Sequence, residues 1–284
     1  MADQKTLKQS ILTEYPRLSR DDRFTFHCGP DMDCFNACCR DVSIVLTPYD
    51  VLRMKRALRL DSSEFLRRYT MVPFTKEQKI PVVLLKMEGE AKQCPFVTEE
   101  GCGIYAHRPW ACRMYPLGYA EPDNPNPEDR AFHFLLKEDI CHGHGCGKAF
   151  TIREWIENQG IETYDMMGAS FKELMLHEFW SREEELAPEK MDMYYMALYD
   201  LDRFRRFVFE SRFLELFDVD EMRAEVMKTD DTELLEFAVQ WLRFSLFGEK
   251  TVKVKRSVME ERLAAARQNG GNGPVQTQRG GAHE

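Results

Sequence analysis

The spacing of apolar positions changes near residue 150. Before that point the apolar runs are short, at 41–46 (Asp-Val-Ser-Ile-Val-Leu, rich in β-branched residues), 80–87 and 131–137, and each predicts a brief strand. A further run at 91–97 is expected to fold back on 80–87 as a hairpin that carries Cys94. Between these runs, Thr47-Pro48-Tyr49-Asp50 reads as a helix start. Thr47 can cap, Pro48 suits the first helical position and Asp50 can return the capping bond. That helix is expected to reach about Leu60, with Val51, Leu52, Met54 and Leu58 facing the core. Ser62 or Ser63 should cap a short helix through Tyr69, and Pro109 should open a turn or helix that presents Cys112.

From Thr151 the period is helical. Thr151-Ile-Arg-Glu154 has the form of a capping box. Helices are expected at 151–158, 162–181, 188–210, 219–228, 231–246 and 252–267. In 188–210, Met191, Tyr194, Tyr195, Leu198, Leu201 and Phe204 share one broad stripe, which reads as core. Residues 1–20 form a lead-in, residues 121–129 a proline-rich acidic loop, and residues 268–284 a Gly/Gln/Asn-rich tail expected to be disordered. The expected fold is therefore α+β. A cysteine-rich module spans 1–150, a helical region packed on it spans 151–267, and a tail follows.

Composition narrows the class. At 284 residues, 43% hydrophobic and 31% charged, the chain has the makeup of a soluble protein with a real core. No apolar run approaches the ~20 residues of a membrane helix. The first residues, Met-Ala-Asp-Gln-Lys-Thr, lack the pattern of a secretory signal, so a cytoplasmic location is expected and a membrane is not. Charge is uneven. Residues 1–150 hold 21 basic and 21 acidic side chains, which leaves 18 and 27 of the totals of 39 and 48 for the rest. The whole net charge of −9 thus lies in the second half. That half repels phosphate, which argues against nucleic acid, and instead offers an acidic surface to a protein partner.

All nine cysteines fall between Cys28 and Cys146, and the last 138 residues have none. Reduced thiols are the rule in the cytoplasm, and an odd count does not pair fully, so metal ligation or redox chemistry is the expected use. Thiolates are soft ligands for zinc and for iron–sulfur clusters. Cys34 and Cys38 are four apart and would share a face on a helical turn. Cys39 then points elsewhere, and Cys28 reaches the group across a Gly-Pro loop. Cys94, Cys102 and Cys112 complete the set only if loops 27–41 and 94–116 lie side by side. Nine thiols with few nearby imidazoles tilt the expectation toward an iron–sulfur cluster, although two zinc ions would use eight of the nine. Arg108 and Arg113 flank Cys112. They could offset cluster charge and donate hydrogen bonds near sulfur, or pair with Asp50 or Asp41. His142 and His144 could be metal ligands, since the glycines let their loop wrap an ion, but they read more readily as incidental histidines of a polar loop. No Walker loop, GxGxxG or HExxH is present, and no catalytic base stands out.

Five motifs occur in order: Cys34-Phe-Asn-Ala-Cys38-Cys39-Arg40, Leu46-Thr-Pro-Tyr-Asp50, Cys94-Pro-Phe96, Cys102-Gly-Ile-Tyr105 and Arg108-Pro-Trp-Ala-Cys112-Arg-Met-Tyr-Pro116. Over about residues 24–150 they resemble the bacterial cysteine-cluster proteins of the CxxCxxCC type (YkgJ-like), described as zinc- or iron-chelating. The resemblance implies a metal site and adds Cys141 to the candidate ligands. Flagellin lysine methylases share the cluster, with an iron–sulfur centre implied. A group-transfer enzyme of that kind, or a zinc-stabilised interaction protein, are the alternatives to a metal-binding protein with a structural, redox or iron-handling role. The spacing departs from the family name, with five residues between Cys28 and Cys34 and three between Cys34 and Cys38.

Overall fold

Thr47 caps the first helix as its sequence requires. Its hydroxyl accepts from the Asp50 N–H at 3.1 Å, and the Asp50 carboxylate accepts from the Thr47 N–H at 2.8 Å. The helix, Pro48–Leu58, has Pro in its first turn and ends at Arg59 in the left-handed region. Thr151 and Glu154 build the same box at the start of the helix Ile152–Asn158. The helix Ser62–Tyr69 is capped by Asp61, whose side chain accepts from the Ser63 N–H. Ser62 and Ser63, expected to cap it, are used across the fold instead.

The computed structural model describes residues 15–73, 80–121, 131–181 and 186–261, and the chain divides into two units, 1–203 and 204–284. The acidic loop at 121–129 (from residue 122), the lead-in before residue 15, the tail and the end of the 252–267 helix lie outside the described residues. Strands are short and come in antiparallel pairs, so the architecture is α+β. In the first unit, Arg23–Phe26 pairs with Lys148–Thr151, and Leu117–Ala120 pairs with Phe132–Leu135. Phe24, Phe26, Met114, Leu117, Ile152, Trp155, Ile156 and Ile161 close over these pairs as a core, with Cys141 packed at its edge. In the second unit the helix Asp231–Phe247 buries Leu234, Phe237, Ala238, Trp241 and Leu242. Phe204 and Phe207 lie tilted against Trp241, and Phe213 meets it edge-on.

Two expected elements are not formed. Residues 41–46 contribute only an isolated bridge, Val45 to Leu84; Leu84–Leu85 pairs with Thr70–Met71, and the chain at 91–97 turns back on 80–88 only through the Glu88–Gln93 bridge. The expected helix over 188–210 is two helices, Pro188–Leu198 and Leu201–Glu210. The break falls at Tyr199 and Asp200, where distant partners take over. Ser62 Oγ donates to Asp200 Oδ1 at 2.6 Å and accepts from the Asp202 N–H at 2.9 Å. Asp202 Oδ2 in turn accepts from the Ser62 N–H and from Lys55 Nζ, each at 2.7 Å. Two helix starts thus cap each other.

The Asp202 carboxylate ties these helices, and its removal has a defined cost. Lys55 is only 7% exposed, and breaking a buried pair by removing one partner costs about 3 kcal/mol, so Asp202→Ala is expected to lower stability by that amount in urea melts. Burial alone would raise the Asp202 carboxyl, but the Lys55 ammonium and the Ser62 N–H outweigh it and hold it below the ordinary value. A depressed folded pKa gives stability that is present above the unfolded value of about 3.9 and is lost as pH falls through the folded one. Below about pH 4, wild type should therefore lose stability more steeply than Asp202→Asn. Parallel acid limbs for the two would remove this assignment.

Candidate metal centre

Backbone pairing brings the two cysteine groups together. The Cys94 N–H donates to the Cys39 carbonyl at 2.9 Å, and the Asp41 N–H donates to the Lys92 carbonyl at 2.9 Å, around an Arg40–Gln93 bridge. Loops 27–41 and 94–116 are therefore adjacent, as the ligand set requires. Cys34 and Cys38 do not lie on one regular helix, however. Ala37–Cys39 is a single 3-10 turn entered through Asn36 in the left-handed region at φ 66. Asn36 Nδ2 donates to the Thr98 carbonyl at 3.0 Å and so anchors this turn to the next cysteine element.

That element is a hairpin, Val97–Thr98 with Gly101–Cys102. Cys102 lies opposite Val97, whose N–H donates to the Cys94 carbonyl at 3.2 Å, so one tight turn presents both thiols. Gly101 is at φ +115, and a Cβ there would stand 3.2 Å from the Phe35 ring, so a side chain would disturb both turn and loop. Cys112 comes from the helix Trp110–Met114, whose first N–H donates to Asp50 Oδ1 at 2.8 Å. Asp50 is fully buried, and through its two oxygens the capping box of one helix holds the start of the other. Cys28 follows the strand Arg23–Phe26, and Cys141 precedes its partner Lys148–Thr151, so that sheet brings these thiols to one end. The 141–146 loop hooks onto the same strand: the His27 N–H donates to the Gly143 carbonyl at 3.0 Å. A Cβ on Gly143 would meet the His27 carbonyl oxygen at 2.1 Å, so only glycine fits.

The electrostatics sort the thiols into two neighbourhoods that meet at Cys38 and Cys39. Burial first, then the Cys94 thiolate, pushes the Cys112 thiol up to about 12; Cys102 and Asp50 add to this, and Arg108 opposes it. Cys39 donates to the Cys38 sulfur, which holds Cys38 down and Cys39 up; Cys94 and Cys112 raise Cys39 further. Burial and Cys102 raise Cys94. Cys39, Cys94, Cys102 and Cys112 thus form one neighbourhood. Burial raises Cys28 as well, followed by Cys38, Cys141 and Cys34, which form the second. Seven of the nine cysteines are half-buried, while Cys28 and Cys146 are exposed. Gathered thiols of this kind resist ionisation until a cation neutralises them.

The two arginines have separate jobs. Arg113 donates to the carbonyls of Arg108, Gln159 and Ala106, at 3.0, 2.7 and 2.6 Å, and its charge acts on Asp50. Arg108 lies over the Tyr105 ring, bonds Gln159, and lowers the thiols of Cys28, Cys38 and Cys112. Its Nε is buried without a partner. The Tyr115 hydroxyl is also buried without a partner of ordinary geometry; burial first, then the Cys141 sulfur beside it, pushes the phenol up. Two orphaned donors beside eight soft donors suit a sulfur-rich anionic group. His142 Nδ1 lies 2.8 Å from Asp33 Oδ1 beside Cys34, a pairing across 109 positions that the sequence does not signal. The involvement of Asp50 in placing Cys112 is likewise invisible locally, because its partner at residue 110 is 60 positions away.

Residues 27–142 match the family model CxxCxxCC, described as a "putative zinc- or iron-chelating domain". This segment is similar to the CxxCxxCC family. No curated protein and no solved structure matches the chain. The match covers the segment from the loop before Cys28 to the residue after Cys141, so the matched segment contains both thiol neighbourhoods. Among the described residues, no helix is long and apolar enough to cross a membrane.

Proposed function

We propose that this chain is a metal-binding protein whose CxxCxxCC domain holds an iron–sulfur cluster through thiolates drawn from Cys28, Cys34, Cys38, Cys39, Cys94, Cys102, Cys112 and Cys141. The observation that carries the reading is the convergence of Cys39, Cys94, Cys102 and Cys112 from three separate elements, joined by the Cys94–Cys39 backbone bond. Bound there, the cluster would supply electron transfer or hold a reactive iron. The chain's own part is to orient the thiolates, to exclude water with the core behind Met114, and to balance charge with Arg108.

The donor set supports a cluster over a single ion: eight gathered thiolates exceed the four that one tetrahedral zinc takes, and few imidazoles stand among them. Protein purified without oxygen should be brown, with iron, acid-labile sulfide and visible charge-transfer absorption. A colourless preparation with stoichiometric zinc would replace the cluster by zinc, and a chain that retains no metal would end the proposal.

A further inference from the structure

The helix Ser62–Tyr69 and the end of Pro188–Leu198 border a cavity of about 240 Å³ that the thiolate centre does not use. Among the described residues, no cysteine lines it. Its volume lies below the ~300 Å³ at which sites for drug-sized ligands begin, so a fitting occupant is small. Leu66, Met71 and Val72 give it an apolar lining, and Tyr195, stacked on Tyr199 with ring centroids 5.9 Å apart, adds a flat wall. Two opposite charges complete the lining. Asp200 is 6% exposed, and among the described residues its carboxylate accepts only from hydroxyls, Ser62 Oγ at 2.6 Å and Ser63 Oγ at 2.8 and 2.7 Å. Arg67 is exposed. Among the described residues neither charge has an ion-pair partner, and they do not pair with each other. Cations near Asp200 are engaged elsewhere: Lys55 bonds Asp202 at 2.7 Å, and Arg203 bonds Asp192 at 3.0 and 2.8 Å. An unpaired surface arginine is ordinary, but a carboxylate buried without a cation is costly.

We infer that this cavity binds a free α-amino acid with an aliphatic side chain of about leucine size. Its ammonium would meet Asp200, its carboxylate Arg67, and its side chain Leu66, Met71 and Val72. The site goes beyond the metal-binding reading and shares no residue with the thiolate centre. A zwitterion is the ligand class that answers two opposite, unpaired charges lining one small cavity. A plain amine would leave Arg67 unanswered and be repelled by it, and a plain acid would face Asp200 in the same way. A carboxylate offers about four acceptor positions, so the serine hydroxyls leave Asp200 room for an ammonium N–H. Those hydroxyls also fix its orientation before a ligand arrives. The planar fork of an arginine matches a carboxylate bidentately, and the exposure of Arg67 lets that end of the ligand enter from solvent. An aliphatic side chain gains by leaving water for the apolar lining.

The full-length protein, purified without oxygen, is titrated with L-leucine by calorimetry. Three truncated probes are titrated beside it: 4-methylpentanoate without the ammonium, 3-methylbutylamine without the carboxylate, and glycine without the side chain. L-Leucine should bind once per chain, and each truncated probe at least about tenfold more weakly. Arg67→Gln changes an exposed side chain that has no ion pair among the described residues, so melting temperature and metal content should stay at wild-type values. Its affinity for L-leucine should fall at least about tenfold. Asp200→Asn should weaken L-leucine further, and Arg67→Gln decides the matter alone if that variant does not fold. No binding of L-leucine at millimolar concentration would overturn the site. So would truncated probes that bind as tightly as L-leucine, or an Arg67→Gln protein that binds it as wild type does.

Discussion

Cys112→Ser is expected to lose the metal of the thiolate centre and most of the stability that metal confers. Thiolate-bound structural metals contribute about 10–16 kcal/mol of apparent binding free energy, so removal of one donor in four costs on the order of 3 kcal/mol, about a hundredfold in affinity. A serine hydroxyl is a hard donor that does not ionise near neutral pH, so it does not substitute for the soft thiolate. Cys112 is the sharpest choice because Cys39, Cys94 and Cys102 all share its charge environment. Elemental analysis and visible absorption of the purified variant should both fall by most of their wild-type value, and the melting temperature should drop with them. Cys146→Ser, at an exposed cysteine outside both neighbourhoods, is the control and should retain metal. Unchanged metal in Cys112→Ser would show that the ligand assignment is wrong.

Asp50→Ala should be nearly as damaging although Asp50 touches no metal. The carboxylate is fully buried and accepts from the Thr47 N–H and the Trp110 N–H, each at 2.8 Å, and from the Thr47 hydroxyl. Its loss leaves two buried backbone donors unsatisfied, at about 1–3 kcal/mol each, and removes one half of a capping box. The expected loss is about 3 kcal/mol, read as a shift in the urea midpoint at constant slope. The helix Trp110–Met114 would also lose the bond that fixes its first turn, so Cys112 would swing and metal content should fall. Asp50→Asn keeps the shape but turns an amide N–H toward a donor, and should lose less than Asp50→Ala. An Asp50→Ala protein with wild-type stability and full metal would show that the carboxylate does not place Cys112.

Much of this was legible along the chain. The capping boxes at Thr47 and Thr151 are local chemistry, three residues long, and the structure forms both as their side chains require. The thiol groups at 28–39 and 94–112, and the need for them to meet, follow from soft-ligand chemistry and spacing. The helix that carries Cys112 begins at Trp110, directly after the proline expected to open it.

What the chain could not show locally was decided by partners far apart in sequence. The stripe from Met191 to Phe204 has helical spacing throughout, yet the helix breaks at Asp200 because Ser62 and Ser63, 138 and 137 residues away, offer that carboxylate two hydroxyls. Residues 41–46 have strand-like side chains, but their pairing is confined to a single bridge at Val45, where the Leu46 N–H donates to the Val83 carbonyl and the Leu85 N–H to the Ile44 carbonyl. Asp33 and His142 meet across 109 positions where the 141–146 loop is held against residues 25–27, next to the pairing of Arg23–Phe26 with Lys148–Thr151. Sequence by itself determined which donors are present and that they must converge, because ligand chemistry belongs to side chains. Tertiary structure alone decided which donors are neighbours, because neighbourhood is set by long-range backbone pairing and by the core that holds it.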